Sequence, residues 1–187
     1  MYNIDKTKII PAVADISELK KAVTLESDKV FLTKSNMLTI SKIVKFVHDK
    51  GKKLYVHIDM MEGLGKDLTA VKFLADLGVD GLISTRSNMI TYARECGLAS
   101  VQRFFILDGQ SSVIAYETIK KTKPDMVEIM PGILGKVISE FAEKLYIPVI
   151  SSGLLTTLDE VESMLDAGAF AVSSGSYELW EYAKKDN

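Results

Sequence analysis

The feature that most constrains this chain is a regular alternation of short β-branched runs with amphipathic segments. The runs are nearly continuous in apolar residues, which is typical of parallel strands covered on both faces. Each run is separated from the next by about the length of one helix with short links. The predicted strands are residues 9–13, 29–33, 53–58, 81–85, 99–107, 125–130, 147–150 and 169–172.

The segments between these runs have helical periodicity. In residues 36–50, five apolar side chains recur at helical spacing and share one face. Asp15 with Glu18, and Thr157 with Glu160, have the spacing of capping boxes that open two helices. Glycines fall between a helix and the next strand, where a left-handed residue is expected, at Gly51, Gly78, Gly97 and Gly168.

Eight strand–helix units can form either a closed barrel or an open, doubly wound sheet. The even spacing, and the lack of an early glycine-rich dinucleotide turn, favour closure. We therefore predict an α/β fold, a compact (β/α)8 TIM barrel. The chain has 187 residues and no linker or composition shift, so we expect a single barrel domain over residues 1–187.

Composition limits the class of protein. The formal net charge of −2 gives no bulk electrostatic reason to expect a nucleic-acid partner. The only cysteine is Cys96, so we expect neither a disulfide framework nor a zinc-thiolate site. The sequence has no apolar run long enough to span a bilayer, and its N-terminus lacks the apolar stretch of a signal peptide. We expect a cytoplasmic protein with no membrane partner.

Serines and glycines follow strands 7 and 8, the positions where barrels of this type commonly bind phosphate. Glycine lets the backbone approach an anion closely, and serine hydroxyls donate hydrogen bonds to it. The alternative is that these residues only form tight turns. The predicted phosphate-binding residues are Ser152, Gly153, Leu154, Ser174, Gly175 and Ser176.

Charged and polar residues mark the ends of strands 3 to 6. An arginine fork suits a phosphate or a carboxylate, but Arg86 and Arg103 are equally suited to ion pairs with Asp59 or Glu128. His57 and Asp59 share one side of strand 3, where they could form a structural pair, an acid–base pair or part of a metal site. The residues predicted to contact the polar part of a ligand are His57, Asp59, Arg86, Arg103, Glu128 and Gly132.

Two lysine clusters occur near predicted helix C-termini, at Lys50, Lys52 and Lys53 and at Lys120, Lys121 and Lys123. Cations at these ends complement the helix dipole, which is a sufficient structural reason for them. We expect both clusters to lie towards the N-terminal face of the barrel, opposite the ligand site. A basic patch there could contact RNA phosphates.

Taken in order, these strand ends resemble the glycerol uptake operon antiterminator regulatory proteins over nearly the whole chain. The most specific segments are Gly-Leu-Ile-Ser-Thr-Arg at 81–86, Val-Gln-Arg-Phe-Phe at 101–105 and Glu-Ile-Met-Pro-Gly at 128–132. Two departures stand out: the family usually has Ala-Gly-Gly where this chain has Ser151-Ser152-Gly153, and a Thr-Ser-Asn type sequence where it has Ser174-Gly175-Ser176.

The resemblance implies a non-enzymatic regulator that senses glycerol 3-phosphate and acts on leader mRNA to prevent transcription termination. It implies no catalytic residue, no metal and no cofactor, and it leaves room for a homo-oligomer that assembles a basic surface. The alternative is a sugar-phosphate isomerase, epimerase or lyase that uses the same phosphate site, with Asp59 or Glu128 as base and His57 or Lys66 as acid.

Overall fold

Eight parallel strands close into a barrel in the computed structural model, which describes residues 2 and 4–184. Around the barrel the order is β1-β8-β7-β6-β5-β4-β3-β2, and β1 pairs with both β8 and β2. The strands are β1 (Ile9–Val13), β2 (Lys29–Leu32), β3 (Lys53–His57), β4 (Gly81–Ser84), β5 (Ala99–Phe105), β6 (Met126–Met130), β7 (Val149–Ser152) and β8 (Ala171–Ser174).

A helix follows each strand, so the predicted (β/α)8 TIM barrel is confirmed. The helices are α1 (Leu19–Ala22), α2 (Ile40–His48), α3 (Leu68–Asp76), α4 (Ser87–Glu95), α5 (Gly109–Thr122), α6 (Gly135–Lys144), α7 (Leu158–Asp166) and α8 (Tyr177–Tyr182). Residues 1, 3 and 185–187, which belong to the predicted domain range 1–187, lie outside the described residues. Among the helices that are described, none has the length and hydrophobicity needed to cross a bilayer.

The helix boundaries follow from local capping. Asp15 and Thr157 both form the predicted capping boxes with the glutamate three residues later. The four glycines expected after helices all have positive φ, between 68° and 101°. The segment predicted as one helix over 36–50 is shorter at its start, because Ser35–Asn36 pairs with Met61–Glu62 as a two-stranded sheet beside the barrel.

Strand alternation divides the barrel interior into layers. Eight residues, one from each strand, fill the lower interior with apolar side chains; Phe31, Ile83 and Ile150 among them are fully buried. Burying such a side chain contributes roughly 1.5–3 kcal/mol. Two residues further along their strands, the same face carries His57, Arg103 and Glu128, as the period of two requires. The sequence thus places a polar layer on an apolar one.

Strands β7 and β8 extend two residues beyond the predicted ends. Ser151 and Ser152 are buried strand residues that pair with β8, and Ser173 and Ser174 end β8 in the same way. The predicted apolar runs stop before these serines, because pairing with neighbouring strands extends a strand through polar residues that local hydrophobicity does not mark.

One of the two predicted lysine clusters is not a surface patch. Lys52 is 5% exposed, and its Nζ donates to the carbonyl oxygens of Leu25 at 2.6 Å and Ser27 at 2.5 Å. A buried ammonium needs such partners. The Lys52 side chain therefore fixes the loop that precedes β2 and is not available to a partner.

Candidate functional site

A cleft of about 470 Å³ lies at the C-terminal ends of the barrel strands. This is the end of the barrel at which ligand sites of this fold are built. The C-terminal ends of β1 and β6, the residue after β2, and the ends of β7 and β8 with the loops that follow them enclose it, and β5 contributes one charged side chain. The lining residues are Ala12, Thr33, Arg103, Met130, Ser152, Gly153, Leu154, Leu155, Thr156, Ser173, Ser174, Gly175 and Ser176.

The six residues predicted to bind phosphate all line this cleft. Gly153 and Leu154 both adopt positive φ, of 80° and 63°, so the loop after β7 turns sharply at the cleft wall. An added Cβ at Gly153 would lie 2.7 Å from Met130 Cε. The loop therefore depends on glycine for its conformation and for its approach to β6.

Ser174 holds together the two loops that are predicted to bind phosphate. Its Oγ donates to the carbonyl oxygen of Leu155 at 2.7 Å and accepts from the Ser176 N–H at 3.1 Å. Ser176 Oγ in turn donates to the carbonyl oxygen of Thr156 at 3.2 Å. These bonds hold the loops after β7 and β8 in one fixed arrangement, which is the preorganisation that an anion site requires.

Arg103 forms a buried ion pair with Glu128 and also lines the cleft. Its Nε donates to Glu128 Oε2 at 2.7 Å, with the Arg103 side chain 10% exposed and that of Glu128 fully buried. Guanidinium has five N–H donors. One contact to Glu128 leaves donors for an anion in the cleft, so the two predicted roles of Arg103 are compatible in this geometry.

Three buried polar side chains beneath or beside the cleft have unsatisfied atoms among the described residues: both ring nitrogens of His57, Oε1 of Glu128 and Oγ of Ser173. Burial, and after it the Arg103 guanidinium, holds the pKa of His57 below its ordinary value, so the imidazole is neutral at pH 7. Buried polar atoms are nearly always hydrogen-bonded. This set can therefore form further hydrogen bonds with a small polar molecule.

Asp59 has a bracing role. Although burial alone would raise its pKa, hydrogen bonds from the Thr85 N–H at 2.8 Å and the Ser84 hydroxyl at 2.8 Å hold that pKa below its usual range. The contacts tie the end of β3 to the loop after β4. Asp59 Oδ2 lies 3.7 Å from His57 Nε2, which is too long for a hydrogen bond.

Of the six residues predicted to contact the polar part of a ligand, Arg103 is among the lining residues of the cleft, and His57, Asp59, Arg86, Glu128 and Gly132 are not. The Arg86 side chain is 56% exposed, and its Nε is 3.7 Å from Asp59 Oδ1. Gly132 donates its N–H to the carbonyl oxygen of Gly153 and accepts from Ser151 Oγ. An added Cβ at Gly132 would meet the Ser152 nitrogen at 2.7 Å, so this glycine allows the loops after β6 and β7 to pack closely.

Sequence reasoning did not select Thr33, Thr156 or Ser173 as site residues, although all three line the cleft. Thr33 follows β2 directly, and its hydroxyl donates to the carbonyl oxygen of Val13 at 2.9 Å. The alternation along β8 could have identified Ser173, because it lies two residues beyond the interior residue Ala171. Within residues 2 and 4–184, no cluster of three potential metal-ligating side chains occurs.

One family model matches most of the chain. The model of the glycerol-3-phosphate responsive antiterminator family matches residues 9–180. The uncharacterized protein YgcP of Escherichia coli (strain K12) is 31% identical over 186 residues, which cover 99% of this chain and 97% of YgcP.

Two solved structures extend the likeness to three dimensions. The glycerol uptake operon antiterminator regulatory protein from Listeria monocytogenes is 31% identical with a TM-score of 0.89, over 96% of this chain and 98% of that one. An antiterminator-related protein from Thermotoga maritima is 32% identical with a TM-score of 0.83, over 92% and 97%. Aldolases at 16% identity or less share the fold alone. The chain therefore belongs to the glycerol-3-phosphate responsive antiterminator family.

Proposed function

We propose that this chain is a cytoplasmic, non-enzymatic sensor of glycerol 3-phosphate that acts on the leader mRNA of glycerol-metabolism operons. The observation that carries the proposal is the polar cleft at the barrel mouth, with buried polar atoms of His57, Glu128 and Ser173 unsatisfied around it. A small polyol phosphate has a doubly charged end and two hydroxyl groups. The cleft offers matching partners for both parts.

The phosphate end is assigned to the loops after β7 and β8. Gly153 and Gly175 bring backbone close to the cleft, and Ser152 brings a hydroxyl group, whereas the Ser176 hydroxyl already donates to Thr156. Arg103 supplies the positive charge, since guanidinium binds phosphate oxygens through paired N–H donors. The same partners suit any phosphomonoester, so this end gives affinity more than it gives specificity.

The glycerol end is assigned to the deeper polar layer. Glu128 Oε1 accepts hydrogen bonds from a hydroxyl, and the neutral His57 ring donates through one nitrogen and accepts through the other. A ligand without hydroxyl groups would leave these buried atoms unpaired, at a cost of roughly 1–3 kcal/mol each. The layer is thus the proposed source of discrimination against inorganic phosphate.

The family supports a regulator, and one feature of the barrel supports the absence of catalysis. Among the described residues, the C-terminal half of no barrel strand carries a lysine that could form a Schiff base with a carbonyl substrate. The proposal needs no cofactor, because glycerol 3-phosphate acts as an effector.

Calorimetric titration with glycerol 3-phosphate, beside glycerol and inorganic phosphate, tests the ligand. We expect saturable binding of glycerol 3-phosphate, at least tenfold tighter than phosphate, and no new NMR signals from the ligand after prolonged incubation. Product signals would establish the isomerase, epimerase or lyase alternative.

A transcription assay on a glycerol-operon leader template tests the output. We expect more read-through of the terminator when chain and ligand are both present than with either alone. Read-through that ignores the chain would refute the regulatory part of the proposal.

A further inference from the structure

An apolar groove of about 660 Å³ lies between the C-terminal halves of α5 and α6, at the opposite end of the barrel from the ligand cleft. The loops that lead into β6 and β7 complete it. It is larger than the cleft and shares no residue with it. Its lining residues are Val113, Tyr116, Glu117, Ile119, Lys120, Lys123, Pro124, Lys144, Leu145, Tyr146 and Ile147.

The groove combines an apolar floor with an exposed aromatic ring. Tyr146 is fully exposed, and Val113 on α5 is 61% exposed. On the floor, the Tyr116 ring stacks on Phe141 with centroids 4.3 Å apart, which fixes its orientation. Contiguous exposed apolar surface of this kind often marks an interaction site.

The rim of the groove is positively charged. Three lysines, Lys120, Lys123 and Lys144, line it against a single carboxylate, Glu117. Glu117 pairs with Lys120 at 3.0 Å, but both side chains are well exposed, so the pair contributes little and exchanges readily. The chain as a whole carries a formal charge of −2, so the groove lining has the opposite sign to the chain average.

Helix dipoles alone do not explain the groove. Lysines in the last turns of α5 and α6 complement the negative ends of those helices. That accounts for the charges but for neither the exposed Tyr146 ring nor the apolar floor beside it. The lysine rim favours an anionic occupant, and the exposed ring beside an apolar floor favours one with flat apolar faces.

We propose that the groove binds a single-stranded segment of the leader RNA, an assignment that rests on the proposed function above. Bases stack on Tyr146 and on the apolar floor, while Lys123 and Lys144 contact the phosphates. Stacking platforms flanked by cations are the general solution for single-stranded nucleic acids. A second copy of the chain fits less well, because a two-fold contact would bring two lysine rims together.

The test is fluorescence anisotropy with a fluorescein-labelled leader transcript of the glycerol-uptake operon of the source organism, in the presence of glycerol 3-phosphate. We expect Tyr146→Ala to weaken RNA binding by roughly five- to 150-fold, the range measured for loss of one stacked base. Tyr146→Phe keeps the ring and should bind as wild type. Lys144→Glu should weaken binding and lower the salt dependence, whereas Lys45→Glu on α2 should do neither.

The outcomes distinguish failure of the groove assignment from failure of the proposed function. If the wild-type chain binds the transcript and Tyr146→Ala binds it equally well, the groove assignment is wrong and the proposed function stands. If the wild-type chain does not bind the transcript, both fail. If Tyr146→Ala instead dissociates a dimer seen by light scattering and leaves RNA affinity unchanged, the groove is a contact between copies. Calorimetry with glycerol 3-phosphate should be unchanged in every variant, which shows that each is folded.

Discussion

Replacement of Arg103 by methionine tests the ion pair at the base of the ligand cleft. Glu128 is fully buried and Arg103 is 10% exposed, with 2.7 Å between Nε and Oε2. Methionine fills most of the volume, so the main effect is a buried carboxylate left without its cation. Loss of one partner from such a pair typically costs 3–5 kcal/mol. Because Glu128 Oε1 has no partner among the described residues, we expect the upper part of this range.

Urea denaturation followed by circular dichroism measures that cost as the change in the free energy of unfolding. The matched control is the double variant Arg103→Met with Glu128→Gln, which removes both charges and keeps the shape. We expect it to lose less stability than Arg103→Met alone, since coupled partners are not additive. If Arg103→Met loses less than about 1 kcal/mol of unfolding free energy, the pair contributes no more than a surface ion pair. That result would refute the argument that burial makes loss of Arg103 costly.

Three further predictions concern single residues. Burial lowers the pKa of His57 in the folded chain, so the unfolded chain takes up a proton first as the pH falls through about 6.5. The free energy of unfolding should therefore decrease as the pH falls. Thermal melts of His57→Gln should show a smaller decrease in stability than wild type between pH 7.5 and 5. Gly153→Ala, forced to a φ of 80°, should lose about 1–2 kcal/mol in urea melts, whereas Gly109→Ala, with open space around it, should be neutral. Thr157→Ala removes an N-cap and should cost about 1 kcal/mol by the same assay.

The barrel was predictable because its strands and helices are each specified by local sequence patterns. Each strand is a short apolar run and each helix has its own periodicity, so a window of a dozen residues suffices to identify either. The position of the cleft then follows from the fold rule, and Gly153 and Gly175 line it where that rule places them.

The remaining features depend on contacts between distant segments. Lys52 is exposed or buried according to whether the loop at Leu25 folds beneath it, 27 residues away. Arg86 and Arg103 look alike in sequence, yet only Arg103 meets a buried carboxylate, because β5 and β6 pair with Arg103 opposite Glu128. Such register is set by the whole sheet and is not visible at either residue.

Communication between the cleft and the groove requires that glycerol 3-phosphate bind two states of the chain with different affinity, since equal affinity shifts nothing. One continuous segment joins the two sites: β5 carries Arg103 to the cleft, α5 returns to the groove with Lys120, and β6 brings Glu128 back to Arg103. Linkage is reciprocal, so the factor by which the ligand increases the affinity for RNA must equal the factor by which RNA increases the affinity for the ligand. We expect a common factor of roughly 5 to 150 from calorimetry of glycerol 3-phosphate with and without saturating transcript, and from anisotropy of the transcript with and without ligand. A factor of one in both titrations would mean that the two sites are energetically independent, and that the ligand controls antitermination by a route other than RNA affinity at this groove.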